Sequence, residues 1–220
     1  MGNLTYKEQF IKFMVDSEIL RFGEFTLKSG RLSPYFINTG NYKTGSQISA
    51  LGGFYAECIK ENNIEGDAIF GPAYKGIPLA ITTAVTLYNK YGIDLNYSFD
   101  RKEVKDHGEG GMIIGYKFSS DDRLIFVDDV ITSGKALRES MEKIKGMCDT
   151  VVTDMVISVD RMEVGKGGVK SAVQEVEEEF GIKVHSVVTM DDIISAIENG
   201  VVDGGEHLEA MKEYRKTYGV

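Results

Sequence analysis

The sequence predicts an α/β fold with a doubly wound, mainly parallel sheet flanked by helices. Near-continuous apolar runs of strand length occur at residues 67–71, 123–127 and 151–159. Runs of this kind are typical of parallel strands that are buried on both faces. Between them, apolar residues recur at helical spacing, as in residues 48–59. This alternation of strand and helix predicts the doubly wound architecture.

The N-terminal part of the chain predicts a small hood of helix and strand beside this sheet. Residues 6–20 carry Phe10 and Met14 at helical spacing and predict the first helix. Two short β segments follow at 24–27 and 33–38. A Lys-Ser-Gly-Arg stretch separates them, and a Ser-Gly link between apolar runs is typical of a hairpin turn.

The rest of the chain is expected to alternate in the same way. Predicted strands are 67–71, 95–99, 123–127, 151–159 and 183–188, and predicted helices are 48–59, 77–88, 134–145, 169–180, 193–197 and 208–218. In a doubly wound sheet, ligands bind beyond the C-terminal ends of the strands. We therefore look for the chemistry in the loops that follow each strand.

Composition limits the classes of function. The 220 residues are 42% hydrophobic, which suits one core, and we expect a single domain over 1–220. The net charge of −9 argues against a broad nucleic-acid-binding surface. No apolar run approaches the roughly 20 residues that cross a bilayer, and the N-terminal segment lacks an apolar signal core. We expect a cytoplasmic protein that binds neither membrane nor nucleic acid.

The strongest motif spans residues 123–136, where an apolar strand leads to two carboxylates and then to Thr-Ser-Gly at the start of a helix. Backbone N–H groups at such a turn and helix N-terminus suit a phosphate monoester. The adjacent acids, Asp128 and Asp129, would repel a phosphate. They are expected to face sugar hydroxyls or a metal. An acidic cap on an ordinary helix is the simpler alternative.

Two further segments follow predicted strands. Residues 71–78 contain two glycines and two prolines, and Lys75 projects from this tight loop. Residues 101–111 gather Arg101, Lys102, Lys105 and His107 beside three glycines. We predict a mobile loop there, because the segment has almost no apolar residue to hold it to a core. Its charge suits pyrophosphate with magnesium.

These three segments carry a family resemblance. Residues 123–136 resemble the motif with which type I phosphoribosyltransferases bind phosphoribosyl pyrophosphate (PRPP). Residues 71–78 and 101–111 resemble the pyrophosphate loop and the catalytic loop of orotate phosphoribosyltransferases. The resemblance implies transfer of a phosphoribosyl group to orotate, with Mg²⁺ held mainly by PRPP and water. It also implies a homodimer in which the 101–111 loop completes the neighbouring active site.

The resemblance further implies a role for individual residues. The catalytic set is Lys75, Lys102, Asp128 and Asp129, with Lys102 closest to the leaving oxygen. The PRPP-binding set is Tyr74, Lys75, Arg101, Lys102, Lys105, His107, Asp128, Asp129, Val130, Ile131, Thr132, Ser133, Gly134, Lys135 and Ala136. The orotate-binding set is Lys28, Phe36, Ile37, Thr132 and Arg161, under a hood formed by residues 1–40. Ile37 departs from the aromatic residue that the family frequently has there.

Two other functions remain open at this point. One is a phosphoribosyltransferase for a purine base or uracil, since the 123–136 motif alone does not specify the base. The other is a non-catalytic regulator that senses PRPP. The cationic 101–111 segment favours turnover over sensing, and competition among bases distinguishes the enzymes.

Overall fold

The structure, a computed structural model, describes residues 4–27, 30–102, 112–131, 134–165 and 168–220. The helices are α1 (Tyr6–Asp16), α2 (Gly45–Glu61), α3 (Gly76–Tyr91), α4 (Lys135–Lys145), α5 (Ala172–Phe180), α6 (Met190–Glu198) and α7 (Leu208–Tyr218). The strands are β1 (Leu20–Thr26), β2 (Leu32–Ile37), β3 (Ala68–Gly71), β4 (Asn96–Asp100), β5 (Ile113–Gly115), β6 (Arg123–Asp128), β7 (Val151–Asp160) and β8 (Lys183–Thr189).

The main sheet has the strand order β5-β4-β3-β6-β7-β8. All neighbouring strands are parallel except β4 and β5, which pair antiparallel at the edge. The predicted doubly wound, mainly parallel architecture is confirmed. Strand β5 was not predicted, because three residues are too few to show a periodic pattern.

Both faces of the sheet are covered by helices, which explains the near-continuous apolar strands. On β6, Ile125 and Val127 join the hydrophobic cluster formed with α1, α2, α3 and α6. Leu124 and Phe126 point the other way and pack in a second cluster with α4. This alternation follows from the two-residue period of a strand.

The hood consists of α1 and the antiparallel pair β1 and β2. The prediction of one helix over 6–20 was wrong in its length. Helix α1 ends at Asp16, because Glu18 takes a left-handed conformation with φ 56°, and β1 begins at Leu20. Buried Tyr35 packs edge-on against Tyr214 of α7, with ring centroids 5.8 Å apart, and so joins the hood to the main body.

Two remaining features complete the fold. Helix α5 starts three residues later than predicted, because the Ser171 side chain caps it by accepting a hydrogen bond from the Gln174 backbone N–H. Across the described residues, every helix is too short or too polar to cross a membrane.

Candidate active site

The C-terminal ends of four parallel strands meet at one edge of the sheet. Gly71 ends β3, Asp100 ends β4, Asp128 ends β6 and Asp160 ends β7. The order β4-β3-β6-β7 makes these strands neighbours. The loops that follow them therefore converge, as expected for a ligand site in a doubly wound sheet.

Two carboxylates lie at the centre of this edge and face different partners. The Asp129 carboxylate accepts hydrogen bonds from the Lys75 ammonium at 2.6 Å, the Thr39 hydroxyl at 2.5 Å and the Val130 N–H at 2.9 Å. The Asp128 carboxylate accepts from the backbone N–H of Asp129 at 2.8 Å. The predicted acids and Lys75 therefore come together.

Buried polar groups fix the backbone of this turn. The hydroxyl of fully buried Tyr55 donates to the Asp128 carbonyl at 2.7 Å. The backbone N–H and the hydroxyl of Ser158, on β7, both donate to the Asp129 carbonyl, at 2.9 and 2.5 Å. Burial raises the pKa of Tyr55 well above its usual range, so its hydroxyl stays a donor. The acid pair is thus held in place by hydrogen bonds to its backbone carbonyls as well as to its carboxylates.

Burial, and then the charge of Asp129, raise the pKa of Asp128 to about 7. Two neighbouring carboxylates cannot both ionise freely in a half-buried position. Near neutral pH, Asp128 therefore exists both as a carboxylate and as a neutral acid. It can accept a hydrogen bond from a hydroxyl group or donate one to it.

A cavity of about 580 Å³ opens on one side of the acid pair, beside the start of α4. We name it the α4 pocket; its lining includes Lys102, Asp128, Val130, Gly134, Lys135 and Ala136. Gly134 takes a left-handed conformation, with φ 66°, as α4 begins. The free N–H groups and partial positive charge of a helix start favour an anion here.

The cations of the α4 pocket form ion pairs that are exposed to solvent. Lys102 and Lys135 each approach Glu139 at 3.6 Å. The Lys135 side chain is 80% exposed. Such exposed ion pairs contribute little to stability and are free to rearrange around an anionic ligand.

A smaller cavity of about 160 Å³ opens on the other side of the acid pair, under β2. We name it the hood pocket; its lining includes Phe36, Ile37, Thr39, Lys75, Asp129 and Arg161. The Phe36 ring stacks on Phe25 with centroids 5.5 Å apart, and Ile37 packs against the main hydrophobic cluster. Both predicted residues therefore line the hood pocket from β2.

Arg161 lies in this pocket beside a carboxylate that sequence reasoning missed. Its guanidinium is 3.8 Å from Glu163, which is also 3.8 Å from the guanidinium of Arg31. The Tyr35 hydroxyl donates to Glu163 at 2.5 Å. Burial, and then Glu163, raise the pKa of Tyr35 well above its usual range. Glu163 thus orients Arg161 while its own position is fixed by Tyr35.

The remaining predicted residues are placed less centrally or lie outside the described part of the chain. The Tyr74 side chain is 72% exposed at the rim, and Ile131 is buried in the core beside α4. Arg101 follows β4, its N–H donates to the Met112 carbonyl at 2.7 Å, and one of its guanidinium nitrogens is buried without a described partner. The predicted residues outside the described ranges are Lys28, Lys105, His107, Thr132 and Ser133.

The chain is similar to known proteins in both sequence and fold. Residues 38–163 match the sequence family described as the phosphoribosyl transferase domain. The chain is 51% identical over 215 residues to the orotate phosphoribosyltransferase of Salmonella paratyphi A (strain ATCC 9150 / SARB42), covering 98% of this chain and 99% of that protein. The orotate phosphoribosyltransferase of Shigella dysenteriae serotype 1 (strain Sd197) matches with the same identity and coverage. The chain belongs to the orotate phosphoribosyltransferase family.

The fold agrees with that membership. The crystal structure of the orotate phosphoribosyltransferase of Francisella tularensis superposes with a TM-score of 0.86, at 37% identity, over 96% of this chain and 100% of that one. The UMP synthase of Leishmania donovani superposes at a TM-score of 0.72 with 23% identity, which supports the fold alone.

Several residues that shape this orotate phosphoribosyltransferase site gave no clear sequence signal. Thr39, Tyr55 and Ser158 lie on three separate elements and meet only in the folded chain. Glu163 had a weak signal, as an acid two residues after Arg161. Within the described residues, no group of three or more His, Cys, Asp or Glu side chains is arranged to hold a metal ion.

Proposed function

We propose that this chain transfers the phosphoribosyl group of PRPP to orotate through the acid pair Asp128 and Asp129, giving orotidine 5′-phosphate and pyrophosphate. The observation that carries the proposal is the position of the acid pair, between the hood pocket and the α4 pocket. The reaction needs such an arrangement, because the ribose must lie between a base on one side and a phosphate on the other. The product supplies pyrimidine nucleotide synthesis.

The ribose and its 5-phosphate would bind at the turn that begins α4. The free N–H groups at Gly134, Lys135 and Ala136 and the positive end of the helix suit the phosphate. Asp128 and Asp129 would bind the ribose hydroxyls. A ligand that reaches Asp129 takes the place of its bond to Lys75, which frees that ammonium for the pyrophosphate.

The reaction itself is a displacement at the anomeric carbon. The bond from this carbon to the pyrophosphate oxygen breaks, and its electron pair stays with the oxygen. The nitrogen of orotate supplies the electron pair of the new bond and loses its proton to water. The ribose carries positive charge on the way, which the carboxylates Asp128 and Asp129 stabilise. Lys75, Arg101 and Lys102 would neutralise the charge that grows on pyrophosphate, with Tyr74 at the rim.

Orotate would bind in the hood pocket. A guanidinium binds a carboxylate with two parallel hydrogen bonds, and the Arg161 guanidinium lines this pocket beside Phe36 and Ile37. Because Ile37 packs on the core, a contact through its backbone remains available to the base. In this arrangement the hood, residues 1–40, covers the base within one domain.

Magnesium would reach the site with its substrate. Mg²⁺ prefers oxygen ligands and keeps several waters, so pyrophosphate and water supply most of its shell. The residues present fit this role, because the half-buried Asp128 lines the α4 pocket and offers carboxylate oxygens there. The metal would supply charge neutralisation on pyrophosphate.

We also propose a homodimer, built on an exposed apolar stripe that runs from Tyr74, before α3, to Val85 and Tyr88 on the helix. Tyr74, Val85 and Tyr88 are between 52% and 72% exposed, and Ile77 lies between them at helical spacing. An exposed apolar stripe on one helix suits a symmetric interface in which the same face meets itself. The double variant Val85→Glu/Tyr88→Glu should be monomeric by light scattering, and an unchanged dimer would exclude this face.

Subunit mixing tests whether the neighbouring chain completes each site. Lys102 lies in the α4 pocket of its own chain, while residues 103–111 are outside the described ranges. If the neighbouring chain supplies Lys102, inactive Lys102→Ala and Asp129→Asn proteins regain about a quarter of wild-type activity when refolded together, because half of the dimers are hybrids with one intact site. No recovery would mean that each chain uses its own Lys102.

The function is tested by mixing the purified protein with PRPP, magnesium and orotate and following loss of the orotate ultraviolet band. Uracil and hypoxanthine are tested in parallel by pyrophosphate release. We expect turnover with orotate that requires PRPP and magnesium. Turnover with another base alone would reject the hood-pocket assignment, and PRPP binding without turnover would favour a sensor. A fluorescent fusion in intact cells tests the cytoplasmic location that we propose.

A further inference from the structure

A buried ion pair lies directly behind the loop that carries Tyr74 and Lys75. Asp100 is 2% exposed and ends β4. Its carboxylate accepts a hydrogen bond from the backbone N–H of Ala73 at 2.6 Å and pairs with the ammonium of Lys143. The same ammonium donates to the carbonyl of Arg101 at 3.2 Å. The mechanism above uses neither member of this pair.

The pair joins three elements that each carry a part of the PRPP site. Ala73 belongs to the 72–75 loop after β3, and Asp100 ends the strand that leads to Arg101 and Lys102. Lys143 belongs to α4, whose first turn borders the α4 pocket. One turn earlier on the same face of α4, Glu139 approaches Lys102 at 3.6 Å.

We propose that Asp100 and Lys143 form a positioning pair for the pyrophosphate end of PRPP, an inference that rests on the proposed function. Asp100 fixes the backbone of the 72–75 loop through Ala73, and Lys143 fixes the carbonyl of Arg101. Lys143 also neutralises a carboxylate that would otherwise repel a polyanion bound just in front of it. Neither side chain touches the substrate in this account.

The charges of Asp100 and Lys143 give the pair a role beyond stabilising the fold. A buried ion pair can often be replaced by apolar residues without loss of stability, whereas removing one partner leaves an uncompensated charge. Removing Lys143 alone therefore leaves a buried negative charge at Asp100 next to the pyrophosphate. Removing both charges restores electrostatic neutrality and keeps an acceptor for Ala73 if Asp100 becomes Asn.

The test uses three variants of the full chain: Lys143→Met, Asp100→Asn/Lys143→Met, and Lys7→Met as a control. Lys7 pairs with Asp192 between α1 and α6. For each protein the KM values for PRPP and for orotate, the Kd of pyrophosphate with magnesium, and the Tm are measured. We expect Lys143→Met to raise the KM for PRPP and the Kd of pyrophosphate about tenfold. The KM for orotate should stay within about twofold, as should all three constants in Lys7→Met.

Rescue of PRPP binding by the double variant decides whether the Asp100–Lys143 pair positions the PRPP site or only stabilises the fold. The double variant should return the KM for PRPP to within about threefold of wild type. A lower Tm with unchanged PRPP and pyrophosphate constants in Lys143→Met, or a double variant no better than the single one, would overturn the proposal. If wild type binds pyrophosphate without turning over orotate, the proposed function fails but the same Kd pattern still decides this inference. No binding of pyrophosphate by wild type would overturn both.

Discussion

The hood pocket and the α4 pocket lie on opposite sides of one acid pair, but they hold their charges differently. In the hood pocket, Lys75 bonds to Asp129 and Arg161 faces Glu163, and both carboxylates are nearly buried, at 13% and 11% exposure. In the α4 pocket, Lys102 and Lys135 share the carboxylate of Glu139, which is 41% exposed. Preorganised groups lose less entropy on binding than free ones. The charges of the hood pocket, the proposed base site, are therefore more preorganised than those of the α4 pocket, the proposed phosphate site.

The largest effect is expected at Asp129, which lines the hood pocket beside Lys75. Asp129→Asn removes the charge that binds Lys75 and that would stabilise a positive ribose. We expect kcat to fall about 1000-fold, the scale of losing one preorganised electrostatic group at a reacting centre. Steady-state kinetics with orotate and PRPP measure it. Asp16→Asn, on an exposed pair with Lys12, serves as the control. A loss below about tenfold would remove Asp129 from the catalytic set.

The α4 pocket is tested by its two lysines, Lys102 and Lys135, which share the carboxylate of Glu139. Lys102→Ala should lower kcat about 100-fold while orotate binding stays nearly unchanged. Lys135→Ala is the matched control, because Lys135 approaches the same Glu139 but is 80% exposed. Single-turnover rates separate chemistry from product release. Equal effects in both variants, or near-normal turnover in Lys102→Ala, would contradict the assignment of Lys102 to the leaving pyrophosphate.

The hood pocket is tested at Glu163, the carboxylate beside Arg161. Glu163→Gln keeps an acceptor for the Tyr35 hydroxyl but removes the charge that orients Arg161 and Arg31. We expect the KM for orotate to rise about tenfold and the KM for PRPP to stay within about twofold. Initial rates with each substrate varied in turn measure both constants. A rise in the KM for PRPP alone would place the base elsewhere.

The smallest effect concerns stability and pH. Burial and Asp129 raise the pKa of Asp128 to about 7, so the folded chain keeps a proton that the unfolded chain loses above about pH 4. The stability associated with this proton is complete below that pH and is lost as pH rises through 7. Asp128→Asn mimics the protonated acid. The difference in Tm between this variant and wild type should therefore be about 3 °C larger, in favour of the variant, at pH 8 than at pH 5.

Thermal denaturation at both pH values measures this gain. The exposed Asp16→Asn variant again provides the control for a general effect of removing an acid. A gain that is equal at both pH values would contradict a raised pKa at Asp128.

The same contrast explains what the sequence can predict. The strands and the acid pair were predictable, because apolar runs and a strand–acid–Gly–helix order are local patterns. Asp129 and Lys75 were both named, but their bond could not be, since 54 residues separate them. Glu163 and Lys143 act through partners brought close by folding, 128 and 43 residues away. The local sequence pattern predicts which residues can take part in the reaction. Tertiary packing determines which other residues hold those side chains in place.

The most direct test of the central claim is a crystal structure with orotate and a non-hydrolysable PRPP analogue bound together. We expect the orotate carboxylate within about 3 Å of the Arg161 guanidinium and the ribose hydroxyls within the same distance of Asp128 and Asp129. The 5-phosphate should lie at the first turn of α4, with Lys75 moved from Asp129 towards the pyrophosphate. A complex in which Lys75 stays on Asp129 and the ribose contacts neither acid would contradict the account.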